Sequence, residues 1–120
     1  MKRRVLAVVP DMFFAAKIRA AAGVSGAEVE FARSVEAAAE KALAGGHALV
    51  VADLQAESCD FAALAARFKS DERLRAIPLV GFYSHVEVEL KRRAEESGFD
   101  RVMPRSAFAG RLPEILNGEL

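Results

Sequence analysis

The sequence predicts an α/β fold in which five parallel strands alternate with helices in a doubly wound sheet of order 2-1-3-4-5, formed as one domain over residues 1–120. Three observations carry that expectation. Apolar runs at residues 4–9 (RVLAVV), 48–52 (ALVVA) and 77–82 (IPLVGF) are continuous rather than alternating, the mark of strands covered on both faces. Segments of helical length with apolar residues at i, i+4 lie between them. The connections are short, so successive strands pair in parallel through right-handed crossovers. At 120 residues and 52% hydrophobic, the chain has the material for one core and is too apolar to stay disordered.

The first strand, 4–9, leads to a helix that begins after Asp11, with Phe14 and Ile18 on one face and Gly23 as its stop. Residues 28–32 (EVEFA) alternate polar and apolar, as an edge strand with one less-covered face does. Ser34 caps the second helix, whose stripe of Val35, Ala38, Ala39, Ala42 and Leu43 ends at Gly45-Gly46. After the strand 48–52, Asp60 caps a third helix with Phe61, Leu64 and Phe68 on one face. Pro78 is tolerable near the start of the strand 77–82. The segment 86–97 turns Val86, Leu90 and Ala94 inward, closes at Gly98, and sets Glu87–Lys91 and Glu89–Arg93 pairs on a solvated face. A short strand at 101–103 precedes a short last helix, with Pro113 in its first turn and Ile115 and Leu116 docking it.

Seventeen basic residues balance seventeen acidic ones, so no net field draws the chain to nucleic acid or to an anionic membrane. No apolar stretch approaches membrane-spanning length. The opening MKRRVLAVVPDMFF starts like a secretory leader, but its apolar run is short, broken by Pro10 and Asp11, and lacks a convincing cleavage site. The single Cys59 excludes an internal disulfide and suits a reducing cytoplasm, the expected location; no base stands beside it in the sequence. His47 and His85 are too few and too far apart for a metal site. No phosphate-binding glycine loop, catalytic triad or dinucleotide fingerprint is present, and no enzyme activity is expected.

In an open sheet of this order, ligands gather at the carboxyl ends of the first and third strands, where the chain changes direction. Asp11 follows the first strand and Asp53 the third. Taken singly, each is an ordinary helix cap or turn residue. Brought close, two carboxylates repel by about 1–4 kcal/mol unless a cation, an arginine or a proton intervenes. A hard oxygen-ligated ion such as Mg²⁺ is the usual solution.

From Arg4 to Leu116 the chain resembles the receiver domains of response regulators, whose CheY-like, flavodoxin-like fold is the one derived above. VVADLQ (50–55) is similar to the family's third-strand motif, which makes Asp53 the match for its phosphoacceptor. RLRAIPLVGFYSH (73–85) is similar to the approach to the fourth strand, and ESGFDRVMPRSAF (96–108) to the glycine-ended fourth helix, fifth strand and following loop. The resemblance implies phosphoryl transfer to Asp53 with bound Mg²⁺, read out through the fourth helix, fifth strand and fifth helix.

The departures are as informative. Receivers carry adjacent acids after the first strand, whereas here Pro10-Asp11 keeps only the second, metal-facing one. Counting back from Gly98, the expected hydroxyl at the end of the fourth strand falls on Tyr83, with Ser84 one later. The expected lysine after the fifth strand is Arg105, the proline after it is Ser106, and the aromatic switch position is Val102. Lysine is a compact charge, while arginine is planar and grips a carboxylate with two hydrogen bonds. Arg105 is therefore expected either to pair with Asp53 or Asp11, in place of the metal, or to stand solvated in a loop.

Three functions follow as expectations. The first is a stand-alone pseudo-receiver in two-component or phosphorelay signalling, requiring no cofactor and acting on a protein partner, or on a second copy as a homodimer, through residues 86–97 and 101–116. The second is a working receiver phosphorylated on Asp53, with Mg²⁺ on Asp11, Asp53 and a backbone carbonyl near Gln55. The third is a sensor of a small anion in a cleft of Arg105, Tyr83 and His85. Phe13 beside Phe14 adds an oddity, because adjacent helix positions do not share a face.

Overall fold

The computed structural model describes residues 3–84 and 87–119. Strands β1 (Arg3–Val8), β2 (Ala27–Phe31), β3 (Leu49–Asp53), β4 (Leu79–Tyr83) and β5 (Arg101–Pro104) form one parallel sheet in the order 2-1-3-4-5. Between and after them run α1 (Met12–Ser25), α2 (Val35–Gly45), α3 (Phe61–Lys69), α4 (Val88–Ser97), α5 (Arg105–Gly110) and α6 (Leu112–Leu116).

The two-residue alternation of the strands divides the core into two layers. Leu6, Val8, Val50, Ala52 and Leu79 face α2, α3 and α4. Val5, Ala7, Leu49, Val51, Val80 and Phe82 face α1, α5 and α6. Coverage on both sides explains why the inner strands are apolar throughout. Strand β2 lies at one edge, and only Ala27 of its residues is fully buried, as its alternating sequence predicts.

Several boundaries differ from expectation for local reasons. Helix α1 runs past Gly23 to Ser25, because the left-handed cap falls at Gly26 (φ 75°), whose N–H reaches the carbonyl of Ala22. Leu43 stands at the rim of the α2 stripe and is partly exposed, leaving Ala38, Ala39 and Ala42 as the buried set. In α4, Leu90 and Ala94 are buried, while Val86 lies outside the described residues. The expected Glu87–Lys91 and Glu89–Arg93 pairs give way to Arg92 bonding both Glu89 and Glu96, and Arg93 instead lies over the Phe61 ring. The single last helix is two short ones. Pro113 sits in the first turn of α6, and Phe108 of α5 supplies a buried anchor absent from the expected set.

Phe14, Phe82 and Phe108 pack together between α1, β4 and α5, with ring centroids 4.7–5.8 Å apart. These offset and tilted contacts add to the area the rings bury. His47 is buried at the opposite, amino-terminal end of the sheet, where its Nε2 lies 2.9 Å from Glu30. Among the described residues no helix is long and apolar enough to cross a membrane.

Truncating the central ring tests this packing. Phe108→Ala is expected to lower stability by about 3–5 kcal/mol, and Phe13→Ala, at an exposed site, by no more than about 0.5 kcal/mol, both read from urea unfolding midpoints.

Candidate functional site at the carboxyl edge of the sheet

Parallel pairing of Val8 with Ala52 places the ends of β1 and β3 side by side, so Asp11 and Asp53 emerge at the same edge. Asp11 caps α1. Its Oδ1 accepts the backbone N–H groups of Phe13 (2.9 Å) and Phe14 (3.2 Å). Its Oδ2 accepts from the Arg105 guanidinium at 2.8 Å. Both carboxylate oxygens are thus engaged, one as a cap and one in an ion pair.

Arg105 opens α5, directly after β5, and its side chain is held on three sides. Besides the Asp11 bond, it donates to the Ser84 hydroxyl at 3.4 Å. Its guanidinium lies 4.0 Å from the centroid of Phe14 and 5.8 Å from that of Phe82. The aromatic face orients the planar group while the two bonds fix its edge. The bond from Arg105, then that from the Phe14 amide, with a lesser one from Phe13, hold the Asp11 carboxyl below its ordinary value of 3.8 against the opposing effect of burial.

Asp53 ends β3, half-buried. Its Oδ1 accepts the Gln55 N–H at 2.9 Å, and among the described residues it has no ion pair. The Gln55 side chain in turn accepts the Ser84 N–H at 2.7 Å, linking the β3 and β4 ends. Gly81 of β4 makes room here: a Cβ on it would lie 2.6 Å from the Leu54 side chain.

The structure therefore gathers Asp11, Ser84 and Arg105 into one bonded group, with Asp53 joined to it through Gln55. Tyr83 does not share that group. It points to the α3/α4 side and packs against that core layer, because alternation along β4 sends it opposite to Phe82. Ser84 is the hydroxyl beside Arg105. His85 lies outside the described residues, so a cleft of Arg105, Tyr83 and His85 reduces to two side chains on opposite faces. Val102 is half-buried against the α2–α4 layer, and Cys59 is buried, its thiol raised by that burial and then by Asp60. Lys17, which sequence reasoning passed over, lines a cleft beside Arg105 together with Ser106. Lys17 falls one turn after Phe13 and Phe14, a spacing visible in the sequence; its nearness to α5 is not.

The donor set does not fit a divalent ion held directly by Asp11. A guanidinium already pairs with that carboxylate, whose Oδ1 accepts two amide N–H groups and whose Oδ2 accepts the Arg105 N–H.

No protein-family model and no curated protein sequence matches the chain. Its fold is matched by solved structures. A response regulator from Hahella chejuensis superposes with a TM-score of 0.87 at 18% identity, covering 99% of this chain and 96% of that one. The chemotaxis response regulator CheY4 of Vibrio cholerae gives 0.84 at 17% identity, over all of both chains. The phosphorylated cyanobacterial phytochrome response regulator RcpA gives 0.78 at 20% identity, covering 98% and 91%. The chain has the receiver fold.

Because the Asp11 pKa is depressed in the folded state, its pairing stabilises the fold fully above the unfolded value near 3.8 and is lost as pH falls through the lower folded value. Arg105→Gln is expected to raise the Asp11 titration midpoint, followed by carboxyl-carbon NMR. The stability margin of wild type over this variant should be present at neutral pH and shrink in acid below that window.

Proposed function

We propose that this protein is a receiver-like regulatory module that acts through contact with another protein, its phosphorylation pocket held shut by Arg105 in the position where receivers use a metal ion. The observation that supports this most directly is the 2.8 Å bond between Arg105 and Asp11. An arginine cannot leave as a hydrated ion does. Any approach of a phosphoryl group to Asp53 would meet a charge already committed to Asp11, to Ser84 and to the face of Phe14. Within this reading, the partner-facing surface is α4 with β5, α5 and α6. That choice follows from the resemblance to receivers; Val88 is exposed there, as Met12, Phe13 and Val24 are on α1.

One observation favours a second reading, a working receiver phosphorylated on Asp53. Asp53 is half-buried rather than sealed, and only its Oδ1 accepts a bond from the described residues. Its other oxygen keeps the lone pairs a nucleophile needs.

Intact mass after incubation with acetyl phosphate and Mg²⁺ separates the two. Wild type is expected to stay unmodified, while Arg105→Lys, with a smaller and more mobile charge, gains an adduct that Asp53→Asn removes. An adduct on wild type that depends on Asp53 would overturn the proposal in favour of the second reading.

A further inference from the structure

A cleft of about 460 Å³ opens between α1 and the start of α5. We propose that it binds a small organic anion with a flat apolar body, of the class of aryl phosphate monoesters, at a place distinct from Asp53. Polar groups and apolar walls divide the cleft between them. Lys17, Arg105, Ser84 and Ser106 line it with donors, and Phe13 and Ala109 with apolar surface.

Charge favours an anion. Arg105 spends one N–H bond on Asp11 and one on Ser84, and its remaining N–H groups have no partner among the described residues. Asp11 offsets much of the Arg105 charge, so the net field of the cleft comes from Lys17. Lys17 is exposed and makes no ion pair among the described residues. Two cations of different shape with two hydroxyls suit a tetrahedral oxyanion.

The apolar half selects the body. Phe13 is 87% exposed, although the neighbouring Phe14 is buried under Arg105. A large ring kept in water at the mouth of a basic cleft is surface available to a stacked planar group, which would return part of its hydration cost. Neither Asp53 nor Gln55 lines the cleft, while Arg105 and Ser84 are shared with the bonded group beside Asp53, so the inference rests on that placement of Arg105.

The test is calorimetric titration without divalent ions, using phenyl phosphate, inorganic phosphate and phenol as separate arms. Phenyl phosphate is expected to bind wild type saturably and more tightly than either half-ligand. Lys17→Ala should weaken it by about fivefold or more, as loss of a charge-assisted contact does. Phe13→Ala should weaken phenyl phosphate but not inorganic phosphate, and Asp53→Asn should leave binding within about twofold. Lys17 and Phe13 are exposed, so these variants keep the fold, which circular dichroism checks. No saturable binding, binding indifferent to Lys17→Ala, equal affinity for phenyl and inorganic phosphate, or loss in Asp53→Asn would each overturn the proposal. The phosphorylation assay above reads Asp53 alone, so the two proposals fail separately.

Discussion

The guanidinium of Arg105 is where the separate parts of this molecule meet. It joins the start of α5 to Asp11 at the end of β1, to Ser84 at the end of β4 and to the ring of Phe14 on α1. Each of those contacts is modest by itself, and the half-exposed ion pair is screened by solvent. Their joint effect is positional. A planar group held at two edges and one face has little freedom, and Asp11 is held by it and by two amides of its own helix.

That constraint depends on what lies beneath it. Phe14, Phe82 and Phe108 make a layer of rings on one side of the sheet, and Arg105 caps the layer at its solvent end. Because β4 alternates, the strand that sends Phe82 into this layer must send Tyr83 to the other side, leaving Ser84 to face Arg105. The Gln55 side chain on the Ser84 amide then ties Asp53 to the same edge. A change in the clamp would be felt at α1, β4 and α5 together.

The sheet was legible in the sequence because its inner strands are covered on both faces, which makes their apolar runs continuous. The order followed from the polar alternation of residues 28–32 at an edge. Less could be read where structure depends on a neighbour distant in sequence. Gly23 and Gly26 look alike as stops, and only the entry into β2 decides between them. The six-residue α5 carries too little periodicity to announce itself, though Phe108 anchors it. Arg105 was open to Asp11, Asp53 or water, since a pairing across 94 positions has no local signature. Tyr83 against Ser84 turned on where β4 ends. One residue of register reverses the face.

On the proposed reading, the Arg105 guanidinium bonded to Asp11 stands where receivers hold a metal ion. Backbone amide NMR during a Mg²⁺ titration tests it most directly, because the Phe13, Phe14 and Gln55 amides bond to the two carboxylates at issue. On this account those resonances stay in place in wild type and move saturably in Arg105→Ala, where the carboxylate is released. Saturable movement of the same amides in wild type would contradict it.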